Sequence, residues 1–96
     1  MPATSRHEYY RQLFHGRCIH CGRIGTDVHE IETRGHIGEQ ALMDEENGVL
    51  LCRECHQWAH LIGSERSGKL LSRERRRALD RYAIRENRIR KGHRSP

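Results

Sequence analysis

The sequence predicts a small α+β domain with too little apolar surface to hold itself together without a staple. Three observations predict it. The chain has 96 residues, is 34% hydrophobic and has a mean hydropathy of −0.94, and chains this short and polar bury little apolar surface. Its four cysteines stand in two pairs, Cys18-x-x-Cys21 and Cys52-x-x-Cys55, with thirty residues between them. Around the pairs, short alternating runs read as strands and longer runs read as helices.

Two-residue spacing lets both thiolates of a pair reach one ion without strain, and two pairs complete a tetrahedron around zinc. A redox pair or free buried cysteines would leave one of the two pairs unexplained. Cys52-Arg-Glu-Cys55-His56 also fits the pattern for covalent haem attachment. That chemistry needs export, and "MPATSRHEYYRQLFHG" has no apolar leader core. The longest apolar run, Val49-Leu50-Leu51, is far too short for a membrane span. The expected setting is a reducing cytoplasm, where paired cysteines hold metal more often than they oxidise.

The elements follow in order. Residues 1–17 contain a helix that opens on a capping box, Ser5 and Glu8, and ends near Gly16. Its apolar face is Tyr10, Leu13 and Phe14, which suits packing on a zinc-stapled core over 18–63. Inside that core Val28 to Ile31 alternates like a strand, and a glycine-rich stretch follows from Gly35 to Gly38. "EENGVLL" reads as a turn at Asn47-Gly48 leading into a buried strand, and "CRECHQWAHLI" as a helix up to Gly63. Residues 64–71, beginning "SERSGK", read as a linker. Residues 72–96 read as a basic helix and tail, capped by Ser72 and stopped at Gly92, with Ala78, Leu79, Tyr82, Ala83 and Ile89 as its apolar stripe.

On the second of these helices Cys55 and His56 point about 100° apart, so they do not readily share an ion. His56 and His60 are four apart and lie on one face. The cysteines therefore belong to the zinc site, and the two histidines look toward a second one. His29, on the first strand, supplies a third imidazole. Other metal motifs fit worse. H-E-x-x-H is absent because Thr33 stands where its second histidine belongs, and the spacing from Cys21 to His29 or His36 does not match a C2H2 finger.

"CIHCG", "DVHEI", "DEENGVLLC" and "CRECHQWAH" together resemble the HNH endonucleases, most closely the small zinc-stapled versions common in phages and mobile elements. The resemblance covers about residues 18 to 60. It implies a ββα-metal (treble-clef-like) fold with a structural Zn2+ on Cys18, Cys21, Cys52 and Cys55. It also implies a catalytic divalent cation, Zn2+, Mn2+, Ni2+ or Mg2+, on His29, His56 and His60, and Asn47 as the residue bracing the loop. Three imidazoles favour a transition metal over magnesium.

The departure is Glu30, which stands where the family places a general-base histidine. Glutamate accepts a proton at neutral pH but is a weaker base than imidazole. Three roles stay open for it: working base, further ligand, or mark of weakened catalysis. His36 is the alternative source of an imidazole base. A shifted register, with Asp27 as ligand and His29 as base, also places both on one side of a strand. The implied activity is metal-assisted hydrolysis of DNA phosphodiester bonds, with Arg34 as a candidate phosphate clamp.

Charge is polarised along the chain. Residues 72–96 hold ten Lys/Arg and three Asp/Glu, a net of +7, against −2 for the remainder. Arg73, Arg76, Arg77, Arg81, Arg85 and Arg88 are the expected contacts to the phosphate backbone of DNA. The competing reading is a non-catalytic zinc-dependent DNA-binding module, or an adaptor for another nuclease or packaging enzyme. For a phage-encoded protein the setting would be the bacterial host cell, with a packaging or recombination protein as a further partner.

Overall fold

The computed structural model describes residues 5–32 and 45–94. They form three helices and one two-stranded antiparallel sheet. Helix α1 spans Arg6–Leu13 and strand β1 Asp27–Glu30; a single 3-10 turn at Glu45–Asn47 leads into strand β2, Gly48–Leu51. Helix α2 spans Arg53–Ile62 and helix α3 Ser64–Arg94. No described helix is long and apolar enough to cross a membrane.

Helix α1 starts as its sequence implies, with the Ser5 hydroxyl accepting from the Glu8 backbone N–H at 3.1 Å. It ends one residue earlier than the glycine suggests. His15 takes the left-handed conformation (φ 55°), and Gly16 N–H donates to Arg11 O while His15 N–H donates to Gln12 O. Those paired bonds satisfy the last carbonyls of the helix. Tyr10 and Phe14 are thereby aimed into the core, both essentially sealed from water.

Every residue of β2 is buried. Its register with β1 pairs Asp27 with Leu51, Val28 with Leu50, His29 with Val49 and Glu30 with Gly48. Gly48 is fixed by packing and not by a turn: a Cβ there would lie 2.2 Å from the Tyr10 ring. Gly25 is constrained in the same way, since a Cβ would come within 2.5 Å of the Leu50 side chain. The segment carrying the first cysteine pair is thus pressed onto β2, and Ile19 N–H donates to Leu50 O at 3.0 Å.

The C-terminal half corrects the domain reading. Residues 64–71 are not a linker: they are the first two turns of α3, which follows α2 directly after Gly63 (φ 95°). Their small residues are a packing surface. Ser67 is fully buried, with its hydroxyl donating to Gly63 O at 2.8 Å. A Cβ on Gly68 would stand 3.4 Å from Ile31 O, so this face lies close against the end of β1. Leu71 completes it, fully buried. Serine and glycine serve a close helix approach as readily as a loop, and composition alone does not separate the two. Ser72, expected as a cap, is exposed inside the helix, and the helix passes the expected stop at Gly92.

Residues 72–85 are no loose tail either. Ala78 is fully buried, Arg75 Nε donates to Gly48 O at 3.2 Å, and Tyr82 Oη donates to Phe14 O at 3.1 Å. His20, between the first two cysteines, adds a further tie. Its Nδ1 lies 2.8 Å from the Glu74 carboxylate, and its ring stacks on Trp58 at 4.3 Å.

These contacts make a prediction that separates a packed helix from a linker. Leu71→Ala should cost about 2–5 kcal/mol, as a buried leucine does, and Ser72→Ala should stay within about 0.5 kcal/mol because its hydroxyl caps nothing. Urea unfolding followed by circular dichroism measures both; a linker followed by a Ser72-capped helix would reverse the order.

Candidate metal centre

Cys18 and Cys21 sit on a tight loop in which Cys18 N–H donates to Arg23 O and Gly22 N–H to Cys18 O, with Gly22 at φ 81°. Cys52 and Cys55 straddle the start of α2. Cys52 is that helix's N-cap, its Sγ accepting from the Cys55 N–H at 3.4 Å. Cys21 N–H points at Cys18 Sγ in the same way, at 3.5 Å. The four sulfurs lie within 4.8 Å of one another, and Cys21 and Cys52 approach to 3.6 Å. A tetrahedron of thiolates about 2.3 Å from zinc has edges of about 3.8 Å. All four cysteines are free thiols, and together they can hold a structural metal ion.

Burial first, then the neighbouring sulfurs, push the Cys55 thiol above its ordinary value. At Cys52 burial also acts upward, but the Cys55 N–H and the surrounding thiols outweigh it and hold the group down.

The second group is formed by His29, His56 and His60, whose ligand atoms also lie within 4.8 Å of one another. Strand period aims His29 at α2, and one-turn spacing stacks His56 and His60 opposite it. The ring centroids of His29 are 5.1 Å from His56 and 5.3 Å from His60. His56 Nε2 and His60 Nε2 are 3.1 Å apart. His29 is 4% exposed, and its Nε2 is buried with no hydrogen-bond partner among the described residues. An orphaned buried nitrogen is costly, and a cation shared by the three rings would satisfy it. The residues present therefore fit a divalent transition metal.

Burial, reinforced by His56 and His60, pushes the His29 pKa down to about 4. Its imidazole is neutral at physiological pH, which is the form that coordinates.

Asn47 braces the chain just beyond β1. Its Oδ1 accepts from Glu32 N–H at 2.8 Å and its Nδ2 donates to Glu32 O at 2.9 Å. Glu30 alternates with His29 along the strand and lies outside the histidine group. Its carboxylate is 3.7 Å from Arg6 Nη2, and Arg6 also lies over the Tyr10 ring. Sequence reasoning left Arg6 out; it belongs to α1, twenty-four residues upstream, and no local pattern joins it to Glu30.

Asp27 also differs from its sequence reading. Its Oδ2 is 2.9 Å from His56 Nδ1 and 2.9 Å from Arg53 Nε, and its Oδ1 accepts from Thr26 Oγ1 at 2.9 Å. The hydrogen bond to His56 foremost, with those from Thr26 and Arg53, holds the Asp27 carboxyl below its usual range despite partial burial.

No protein-family model, curated protein or solved structure matches the chain.

Of the proposed DNA contacts, Arg73, Arg76, Arg77, Arg81 and Arg85 are exposed. At 100° per residue Arg73, Arg76 and Arg77 project away from Leu71, Ala78 and Tyr82, the side that packs, and Arg81 flanks it. Arg66 and Lys69, also exposed, extend the same face toward Gly63; reading 64–71 as a linker hid them. Arg75 turns inward instead, its guanidinium over Phe14. Arg34, His36 and the side chain of Arg88 lie outside the described residues.

Two outcomes are expected. Cys52→Ala should abolish cooperative unfolding along with zinc content, because structural zinc supplies folding energy directly; a folded zinc-free variant contradicts the staple. In zinc-stapled protein with no second cation, the His29 ring should titrate near pH 4 by NMR. The unfolded chain takes up that proton near 6.5, so this group's contribution to stability is complete above about pH 6.5 and declines as pH falls toward 4. A His29 midpoint at 6.5 contradicts its burial.

Proposed function

We propose that the protein is a metal-dependent DNA endonuclease of the HNH type, nicking or cleaving phosphodiester bonds. The observation that carries the proposal is the orphaned Nε2 of His29 facing His56 and His60 beside an asparagine-braced strand end. The order β1, β2, α2, with one cysteine pair preceding β1 in the chain and the other following β2, agrees with a ββα-metal (treble-clef-like) core.

In this reading His29, His56 and His60 hold a divalent cation through imidazole nitrogens. A cation bound there would supply Lewis-acid stabilisation of the charge that develops on the scissile phosphate and its leaving 3′ oxygen. Asn47 keeps the chain at Glu32, and hence the end of β1, in register with β2. A Glu30 carboxylate oxygen accepts the proton of the attacking water, after leaving or sharing its contact with Arg6. The exposed cations of α3, from Arg66 to Arg85, contact DNA phosphates and give affinity without base specificity.

The alternative, a non-catalytic zinc-dependent DNA-binding module or nuclease adaptor, draws on one observation: Glu30 is engaged by Arg6 and stands apart from the histidines.

A plasmid-nicking assay on metal-stripped protein, with each divalent ion added back, decides between them. His29→Ala and His56→Ala should abolish nicking in a folded protein, and His60→Ala should be milder if water replaces one ligand. Glu30→Gln should lower the rate about 10²–10⁴-fold with metal affinity nearly unchanged. Wild-type protein inert with every ion contradicts the endonuclease reading and favours the binding module.

A further inference from the structure

Asp27 is the most heavily bonded carboxylate near the histidines, and the chemistry above gives it no task. Strand period puts it on the same face as His29, two residues away. Its pairing with Leu51 sets it beside the start of α2, where Arg53 and His56 begin the first turns. Both of its oxygens are engaged: Oδ1 by Thr26 Oγ1, Oδ2 by Arg53 Nε and by His56 Nδ1, each at 2.9 Å. Arginine can only donate, so the oxygen it shares with His56 is an acceptor. The proton between Asp27 and His56 therefore sits on Nδ1.

We propose that Asp27 is a positioning residue for the histidine site, locking His56 as the Nδ1–H tautomer so that its Nε2 lone pair faces His29 and His60. The consequence follows from the ring. A neutral imidazole carries one proton, and placing it on Nδ1 leaves Nε2 as an acceptor. Nε2 is the nitrogen 3.1 Å from His60 Nε2, on the side of the site. The carboxylate meets the opposite nitrogen of the ring, so Asp27 acts through His56 and not as a ligand. Thr26 and Arg53 hold the carboxylate's rotation, which in turn holds the plane of the imidazole. Carboxylate partners of this kind orient a ligating histidine and raise its basicity.

The inference rests on reading the three histidines as a cation site, and it is independent of DNA cleavage. Two measurements test it on the zinc-stapled full chain. Long-range 1H–15N NMR of the imidazoles should show His56 protonated at Nδ1 in the wild type, with that preference lost in Asp27→Ala. Calorimetric titration with Ni2+ should show Asp27→Ala binding about 10–100-fold more weakly, and Asp27→Asn, which keeps one acceptor oxygen, falling between. A wild-type His56 protonated at Nε2 overturns the proposal without any variant, which matters if Asp27→Ala does not fold. Equal Ni2+ affinity in folded Asp27→Ala overturns it too, as does a wild type that takes up no ion beyond the structural one. A protein that binds Ni2+ as described yet nicks no DNA supports the proposal while removing the nuclease reading.

Discussion

The bond between Cys52 and its surroundings is the constraint on which the rest of this structure depends. That residue closes β2, caps α2 and contributes a sulfur to the four-cysteine group, all within one step of the chain. Once its thiolate is placed, the phase of α2 is set, because its Sγ accepts from Cys55 N–H and its carbonyl from His56 N–H. His56 then points one helical step away from Cys55, toward β1, and His60 follows one turn later. A single group of four sulfurs thus aims two imidazoles of a different group. A metal ion held by those sulfurs would replace the apolar surface that a larger core provides.

What surrounds this axis explains why the sheet survives with two strands. An isolated hairpin is marginal in water. Here α1 covers one end through Tyr10 and Phe14, and α3 covers another through Leu71 and Ala78. Hydrogen bonds from Arg75 to Gly48 and from Tyr82 to Phe14 tie α3 to both the sheet and α1. Arginines on one helix therefore divide: Arg75 is packed against Phe14 and bonded to Gly48, and those on the opposite side face solvent.

Much of this was legible in the sequence because the signals were local. Ser5 and Glu8 announced the first helix, the cysteine spacing announced the four-sulfur group, and one-turn spacing separated His56 and His60 from it. Asn47 was legible only through the resemblance, since an asparagine before Gly48 reads equally as a turn. The misreadings share a cause. Residues 64–71 have linker composition, but Ser67 and Gly68 are small so that a helix can lie against Ile31. Asp27 could be placed on the right side of β1 but not at the right nitrogen of His56, because that depends on the third dimension of the ring. Arg6 and Glu30 meet only through the packing of α1 on the sheet.

One set of sulfurs positions a second, histidine-built group that could hold a cation. Crystals of the protein grown with zinc and soaked in Ni2+ would test it most directly, by anomalous diffraction at the two metal edges. Zinc is expected amid the sulfurs of Cys18, Cys21, Cys52 and Cys55, and nickel bonded to Nε2 of His29, His56 and His60. Nickel confined to the sulfurs, or bound to His56 through Nδ1 with Asp27 displaced, would contradict it.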